Sequence, residues 1–436
     1  MSLEPIFFFH PDLGKGGAER LIVDAAFVNI REGRRVRILT GRYTRESAFG
    51  DLVAEVERPG SLLSVHPVAA WLPQRLPVIR AELACASLRA AWAVLIALLA
   101  VATGRWEVPR GGVVADQVAH WIGWAVWWWN VPWLFYCHFP DALLVQQERS
   151  GTVRASVKAA YRLVADAVER RTTAGATLIC VNSRFTQDTF NTFMGDTPPP
   201  SRVLYPAVSR DLLNRWQGAP AVRPTSPRLA PLWAPDTGPV LLSVNRFERK
   251  KNVGILLDAA ALFASLEFNT PVLVVLAGGF DPTVPDNARY MDELQQQIRA
   301  LPTNISVLLV PSFSEEERTE LLARARIFVY TPMNEHFGIG PLEAMLAQLP
   351  VVAMGSGGPR ETVVPGVTGM LVEPTPDALA GTLVDLLESE GTCRTFGAAG
   401  AQRVAEYFSP DAFSRNWLAA LEKARLLHTR SSGWLE

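Results

Sequence analysis

Apolar residues occur along this chain in short runs separated by longer amphipathic stretches. The short runs are rich in Val, Ile and Phe and predict β-strands, whereas apolar residues spaced three or four positions apart predict the helices between them. The predicted strands are PIFFFH, RVRILT, VVADQV, WLFYCHF and TLICVNS in the first half and PVLLSVN, PVLVVLAGG, NISVLLV, IFVYT and PVVAM in the second. Strands that alternate with helices indicate parallel, doubly wound sheets, so the predicted class is α/β.

A proline-rich stretch over residues 216–238 has no apolar periodicity and predicts a linker. We therefore expect an N-terminal domain over 1–215, a C-terminal domain over 239–410, and a last helix over 411–436 that crosses back to the first domain. Ligands of doubly wound sheets bind beyond the carboxyl ends of the strands. The predicted architecture is thus two Rossmann-like domains that face each other across a ligand-binding cleft.

The composition excludes several classes of protein. Lys and Arg number 42 and Asp and Glu 43, so the net charge of −1 gives no bulk attraction to nucleic acid. The four cysteines are far apart and form no C-x-x-C pair, which argues against a zinc knuckle or a disulfide framework. The N-terminus has no basic region before its short apolar run, so we expect a first strand there rather than a signal peptide.

A glycine-rich sequence, GKGGAE at residues 14–19, follows the first predicted strand and opens the first predicted helix. Free backbone N–H groups and the helix dipole favour an anion at such a position. The spacing matches neither a dinucleotide fingerprint nor a P-loop. A tight strand-to-helix turn without a ligand is the alternative interpretation.

A basic sequence, SVNRFERKKN at residues 243–252, follows the first strand of the second half. Its four cations suit a pyrophosphate, since charge-assisted hydrogen bonds to phosphate are strong. A solvated charge run is the alternative.

The sequence NEHFGIGPLEAM at residues 334–345 places Glu335 in a loop after a strand and Glu343 on the first turn of a helix. Carboxylates accept hydrogen bonds from vicinal sugar hydroxyls, and the backbone N–H groups of residues 337–340 are positioned to receive phosphate. A glycine-rich turn with incidental acids is the alternative. His138 ends an apolar strand of the first half, where catalytic, substrate-orienting and structural roles all remain open.

Two apolar segments predict contact with a membrane. Residues 120–133 hold six of the thirteen tryptophans, and a helix there places Trp121, Trp124 and Trp128 on one face. The uncharged run over 90–102 reaches about 20 Å as a helix, too short to span a bilayer core of roughly 30 Å. Five arginines and two glutamates between residues 71 and 112 suit a helix in the interface of an anionic leaflet. Burial in the core is the alternative for both segments.

These motifs together resemble glycosyltransferase family 4, retaining enzymes of the GT-B fold whose two glutamates have the spacing of Glu335 and Glu343. The resemblance runs nearly end to end, through GGAER, FYCHFPD, LICVNSRFT, LSVNRFERKKN, LAGG, NEHFGIGPLEAM, SGGPRETV, VTGMLVEP and FSPDAF. Within the family, these sequences are most similar to the mannosyltransferases that add an α-1,3 and then an α-1,6 mannose to a dolichol-linked oligosaccharide.

The resemblance implies a role for each motif. Arg246 and Lys251 would hold the donor diphosphate, Glu343 the ribose hydroxyls, and Glu335 the transferred sugar near its reacting carbon. His138 would contact the sugar or the acceptor. The loop that covers the donor phosphates would consist of His336, Phe337, Gly338 and Ile339. The phosphate or acceptor loop of the first half would consist of Gly16, Gly17 and Glu19.

The resemblance also implies the reaction and its place. GDP-mannose would be the donor and Man-GlcNAc2-PP-dolichol the acceptor, giving Man3GlcNAc2-PP-dolichol at the cytosolic face of the endoplasmic reticulum, with the protein lying on the membrane rather than spanning it. No cofactor or metal is expected, and no D-x-D motif occurs in the chain. The alternatives are a GT-B glycosyltransferase with another donor or acceptor, a sugar-nucleotide epimerase or phosphorylase, and a non-catalytic membrane scaffold.

Overall fold

The structure is a computed structural model. It describes residues 3–73, 82–117, 121–140, 143, 166–196, 198–218, 222–224 and 226–432. The chain divides into two compact units, which we call unit 1 (residues up to 206 together with 413 onward) and unit 2 (residues 207–412). The division falls at residues 206 and 207 rather than at the predicted 215 and 216.

Unit 1 is built on a seven-stranded parallel sheet with the strand order β3-β2-β1-β4-β5-β6-β7. Its strands are β1 (Leu3–His10), β2 (Arg34–Thr40), β3 (Leu63–Pro67), β4 (Gly112–Asp116), β5 (Trp133–Cys137), β6 (Leu178–Val181) and β7 (Ser201–Val203). Its described helices include α1 (Gly17–Arg31), α2 (Gly50–Glu57), α3 (Glu82–Ala102), α4 (Ile122–Trp129) and α5 (Arg184–Met194), and residues 166–173 are also helical. Strands β4 and β5 are buried along their whole length, as expected for central strands covered on both faces.

Unit 2 has a six-stranded parallel sheet with the order β10-β9-β8-β11-β12-β13. Its strands are β8 (Val240–Val244), β9 (Val272–Gly278), β10 (Ile305–Pro311), β11 (Ile327–Tyr330), β12 (Val351–Met354) and β13 (Gly369–Val372). Its α-helices are α6 (Arg210–Gln217), α7 (Gly254–Ala261), α8 (Pro285–Arg299), α9 (Glu315–Arg324), α10 (Gly340–Leu346), α11 (Pro359–Thr362), α12 (Pro376–Glu388) and α13 (Glu390–Arg403). The described part of unit 2 also contains three 3₁₀ helices (Pro227–Trp233, Arg249–Lys251 and Phe263–Leu266) and one π-helical turn (Val404–Phe408).

The last helix, α14 (Pro410–Ser432), begins at the end of unit 2 and contributes residues from 413 onward to unit 1. Trp417 is fully buried there, and its ring stacks on Phe8 of β1 at 6.1 Å between centroids. The chain thus returns to its first strand at its end.

The predicted linker is wrong for part of its length. Residues 227–233 form a 3₁₀ helix, and Leu229 and Leu232, three positions apart, are fully buried. Arg228 donates to Glu317 of α9 at 2.7 Å, and Trp233 donates to Glu320 of the same helix at 2.6 Å. The prolines conceal this segment because they remove helical periodicity without preventing a short 3₁₀ helix from packing.

Helix α3 is longer than the apolar run that predicted it. It covers 21 residues and includes Arg89, which does not end the helix but pairs with Asp12 at 3.1 Å. By length and composition alone, its window Cys85–Ala102 is long and apolar enough to cross a membrane, and 33% of that window is buried. The helix as a whole is thus longer than the apolar run over 90–102 on which the length prediction was based.

Candidate functional site

The loop between β11 and α10 carries the two predicted glutamates and is held in a fixed shape. Gly338 has a φ of +81°, and a Cβ there would lie 3.2 Å from the Tyr330 ring, so glycine is needed. The Gly358 N–H donates to the backbone oxygen of Glu335 at 2.7 Å, and the Ser356 hydroxyl donates to Asn334 at 2.7 Å. The sequence SGGPRE thus supports the neighbouring glutamate loop.

Glu335 and Lys251 form an ion pair at the carboxyl ends of β11 and β8. Tyr330 donates its hydroxyl to the same carboxylate at 3.3 Å, and the Thr331 hydroxyl donates to the Lys251 backbone oxygen at 2.7 Å. Burial alone would raise the pKa of Glu335, but the charge and hydrogen bond of Lys251 bring it below its ordinary value. Glu335 is therefore ionised and lies directly against a cation.

Glu343 is largely buried at the start of α10 and pairs with Arg318 of α9. Burial raises the pKa of Glu343, and the Arg318 charge only partly opposes this shift. The prediction did not include Arg318. It lies in the charged helix sequence EEERTELLAR, which reads as a solvated face, and no feature of its spacing distinguishes it from its neighbours.

The basic loop after β8 runs against the end of β9. The N–H of Asn245 donates to Ala277 at 2.8 Å and that of Phe247 donates to Gly279 at 2.9 Å. A Cβ on Gly278 would collide with the Asn245 backbone oxygen, which explains the glycine at this position of the LAGG sequence.

The four cations of this loop have different partners. Arg246, 60% exposed, pairs with Glu248 at 2.8 Å, and Lys250 pairs with the same carboxylate at 3.0 Å. Arg249 pairs with Glu293 at 2.6 Å. Of the four cations, Lys251 contacts Glu335, whereas Arg246 pairs with Glu248 of its own loop.

The remaining predicted residues of this loop divide between core and surface. Phe337 is buried, with its ring 5.9 Å from that of Phe408, so its side chain belongs to the core. Ile339 is exposed and His336 is half-buried. The charge of His336 also lowers the pKa of Glu335, but by less than Lys251 does.

In unit 1, His138 belongs to a buried network at the carboxyl ends of β1, β4 and β5. Its Nε2 lies 2.9 Å from one oxygen of Asp116, and the other oxygen lies 2.7 Å from Nδ1 of His10. Nε2 of His10 donates to the backbone oxygen of Asp12 at 3.0 Å. Asp116 is fully buried.

The charges of this network support each other. Burial lowers the pKa of His10, but Asp116 more than offsets this and leaves it above its ordinary value. Burial raises the pKa of Asp116, but His10 and His138 bring it below its ordinary value. The prediction included His138 but not His10 or Asp116, although His10 ends β1 and Asp116 ends the neighbouring strand β4.

The glycine-rich loop of unit 1 carries its own carboxylate. Helix α1 begins at Gly17, and the side chain of Glu19 folds back so that a Cβ on Gly16 would lie 3.0 Å from its carboxyl carbon. Its charge is also one of the smaller causes that raise the pKa of His10. The predicted anion position at this helix start is therefore next to an acidic side chain.

The tryptophan-rich segment is partly core and partly surface. Trp129 and Trp133 are buried, whereas Trp124 and Trp128 are each 72% exposed and Trp127 is 80% exposed. Trp121 is exposed too, and its Nε1 donates to Ser87 of α3 at 3.0 Å. The predicted exposed face of Trp121, Trp124 and Trp128 thus also includes Trp127.

Two of the five arginines between residues 71 and 112, Arg75 and Arg80, lie outside the described residues, and so does His120, the first residue of the tryptophan-rich segment. Within the described ranges, no group of three His, Cys, Asp or Glu side chains is placed to hold a metal ion.

Comparisons with known proteins agree on one family. Residues 230–403 match the family described as glycosyl transferases group 1. Alpha-1,3/1,6-mannosyltransferase ALG2 of Rhizomucor pusillus is 35% identical over 435 residues, covering 94% of this chain and 89% of its own. The human protein of that name is 35% identical over 94% of this chain and 93% of its own.

A solved structure supports the fold. The sucrose-phosphate synthase of Thermosynechococcus elongatus superposes with a TM-score of 0.67 at 21% identity, over 95% of this chain and 97% of its own. Together with the two parallel sheets, this confirms the predicted GT-B class with two Rossmann-like domains. The chain therefore belongs to the alpha-1,3/1,6-mannosyltransferase ALG2 family and is a glycosyltransferase.

Proposed function

We propose that this protein moves mannose from GDP-mannose to Man-GlcNAc2-PP-dolichol with retention of configuration, first in α-1,3 and then in α-1,6 linkage. The product is Man3GlcNAc2-PP-dolichol. The observation that carries the proposal is the ion pair of Glu335 and Lys251 at the carboxyl ends of two adjacent strands of unit 2. At this position the Glu335 carboxylate can accept hydrogen bonds from sugar hydroxyls, and the Lys251 ammonium can bind a diphosphate.

Donor binding exchanges the partners of the charged side chains. The diphosphate draws Lys251 away from Glu335 and Arg246 away from Glu248, and each new charge-assisted hydrogen bond contributes about 1.5–3 kcal/mol. Glu335 is then free to accept hydrogen bonds from the sugar hydroxyls. Glu343, held at the start of α10 by Arg318, receives the ribose hydroxyls.

Catalysis depends on charge that is in place before the reaction. When the bond between the sugar and the diphosphate breaks, negative charge grows on the leaving GDP. Lys251, Arg246 and the backbone N–H groups of residues 337–340 stabilise that charge, so the reaction needs no metal ion.

His138 contacts the sugar or the acceptor. It is partly exposed, and the Asp116 carboxylate fixes the proton on its Nε2. Nδ1 then remains as an acceptor for a substrate hydroxyl. Asp116 acts as a positioning residue because it holds the His138 ring, and His10 in turn pairs with Asp116.

The protein lies on the cytosolic face of the endoplasmic reticulum through an apolar face of unit 1. This face combines exposed side chains from three consecutive regions of the unit: Trp71, Leu88, Leu95, Leu99, Trp121, Trp124, Trp127 and Trp128. Tryptophan and leucine on one exposed surface suit the boundary between headgroups and acyl chains. Changing Trp124, Trp127 and Trp128 to Ser should reduce sedimentation with anionic liposomes at least fivefold; equal sedimentation contradicts this membrane contact.

The activity is tested by incubating purified protein with GDP-mannose and a phytanyl-diphosphate-linked Man-GlcNAc2 acceptor, followed by mass spectrometry and linkage analysis. We expect two added hexoses, the first α-1,3 and the second α-1,6, and no addition from UDP-glucose. An acceptor that remains unmodified, or a hexose added only from the UDP-linked donor, contradicts the proposed function.

A further inference from the structure

Arg89 is a buried cation inside the most apolar helix of unit 1. Its exposure is 6%, and its Nη2 pairs with Asp12 at 3.1 Å. Among the described residues, neither its Nε nor its Nη1 has a hydrogen-bond partner. Two donors of a permanent charge are thus buried without an acceptor among the described residues, which is rare in folded proteins and leaves them available to an anionic ligand.

Arg89 lines a small pocket between α3 and the carboxyl ends of β1 and β2. Its wall is apolar along Phe9, Leu39, Ala90 and Ala93, and His10 adds a second polar group. The pocket therefore combines a buried guanidinium with hydrocarbon walls.

The position of Arg89 is fixed from both sides. Asp12 holds one end of the guanidinium, and Gly41 lies so close that a Cβ there would be 3.4 Å from the Arg89 Cδ. A pre-positioned guanidinium with two free donors matches the geometry of phosphate oxygens.

The same helix presents an apolar surface on its other side. Leu88, Leu95 and Leu99 are exposed, and Trp92 packs edge-on against Trp71 at 5.4 Å between ring centroids. A lipid chain that follows this outer surface reaches the helix turn that carries Arg89. The neighbourhood thus suits a ligand with an anionic head and a hydrocarbon tail.

We propose that Arg89 binds a phosphate oxygen of the lipid diphosphate in the acceptor, and we call this site the Arg89 pocket. The inference rests on the proposed function, because it assigns the lipid-linked acceptor a binding position in unit 1. It differs from the donor site of unit 2, where Lys251 and Arg246 meet the nucleotide diphosphate.

The first test measures binding to full-length protein whose donor site is saturated with GDP. Farnesyl diphosphate, farnesol and inorganic diphosphate serve as probes. We expect Arg89→Gln to weaken farnesyl diphosphate binding at least tenfold and to leave farnesol unchanged. Equal binding of farnesyl diphosphate by both proteins overturns the proposal, and so does inorganic diphosphate binding as tightly as the lipid form, which would indicate a site for free phosphate.

Arg37→Gln is a matched control. Arg37 also has a buried Nε without a hydrogen-bond partner among the described residues, but it lies over the Trp106 ring at 5.3 Å and does not line the Arg89 pocket. We expect its binding of farnesyl diphosphate to stay within twofold of the wild type. An equal loss in both variants would show a general effect of removing a buried arginine and overturn the assignment.

The second test measures transfer kinetics in detergent micelles. Arg89→Gln should raise the KM for the lipid acceptor at least tenfold, with the KM for GDP-mannose within twofold, and Arg89→Lys should recover part of the loss. An unchanged acceptor KM in an active protein overturns the Arg89 pocket alone. A wild type that transfers no mannose contradicts the proposed function instead and leaves the binding test valid.

A third measurement needs no variant, in case Arg89→Gln does not fold. A photoreactive farnesyl diphosphate bound to the wild-type protein should label residues 86–93 of α3. Labelling confined to other segments overturns the proposal.

Discussion

The charged groups of the two units are held in different ways. In unit 2, Glu335 and Lys251 pair on loops at strand ends, with 23% and 14% of their side chains exposed. In unit 1, Asp116 is fully buried between two histidines. A ligand can exchange the partners of the first pair, whereas the second network is part of the core. We infer that unit 2 performs the charge chemistry and that unit 1 holds His138 in place.

Glu335→Ala should cause the largest loss of activity. Removing the carboxylate that we propose contacts the transferred sugar should lower kcat about a thousandfold, or about 4 kcal/mol of barrier. The variant should still fold, with a modest loss of thermal stability because Lys251, 14% exposed, loses its counter-ion. Glu293→Gln, which removes an exposed partner of Arg249, serves as the control and should keep normal activity. A Glu335→Ala protein with more than a tenth of wild-type kcat contradicts the assigned role.

Asp116→Asn should cause the largest loss of stability. It removes the buried carboxylate that pairs with both His10 and His138, and removing one member of a buried pair typically costs about 3–5 kcal/mol. Denaturant unfolding measures this change. A loss below 1 kcal/mol in the free energy of unfolding would show that the Asp116 network is not a structural part of the unit 1 core.

Lys251→Met should act mainly on the donor. Without this cation, kcat/KM for GDP-mannose should fall about 10- to 100-fold, equivalent to about 1.5–3 kcal/mol. Arg246→Met should have a smaller effect because its side chain is mostly exposed and shares Glu248 with Lys250. Steady-state kinetics with varied GDP-mannose separates the two variants, and a larger loss for Arg246→Met reverses the order that the structure indicates.

The free energy of unfolding should depend on pH in the direction set by the raised pKa of His10. Its pKa is raised on folding, so its contribution is complete below its unfolded pKa of about 6.5 and is lost as pH rises through the folded value. The unfolding free energy should therefore decrease from pH 6 towards pH 9, and His10→Gln should remove that slope.

His66→Gln is the control for this prediction. Burial and then Arg37 lower the pKa of His66 to about 4, so this histidine stays neutral from pH 6 to 9. The variant should keep the wild-type slope over that range. A slope that persists in His10→Gln, or disappears in His66→Gln, contradicts the assignment.

The central strands of both sheets could be predicted from the sequence, and three edge strands could not. The missed strands are β3, β7 and β13, which are short and lie at the edges of their sheets. An edge strand is partly exposed, so its residues need not form the apolar runs that reveal a central strand.

The site was predictable where its residues are neighbours in the sequence. Glu335 and Glu343 share one loop and helix start, and their spacing carries the family resemblance. Arg318, Asp116 and His10 are partners brought together by packing, separated from the residues they contact by 25, 22 and 106 positions. Such pairings depend on strand order and helix orientation, which one sequence does not specify.

In the proposed mechanism, the charged pair of Glu335 and Lys251 in unit 2 receives the donor diphosphate. A crystal structure of the protein with bound GDP would show this contact. We expect Lys251 Nζ to leave Glu335 and to lie within hydrogen-bond distance of a phosphate oxygen, with the ribose hydroxyls on Glu343. GDP bound elsewhere, or bound while Lys251 still pairs with Glu335, would contradict it.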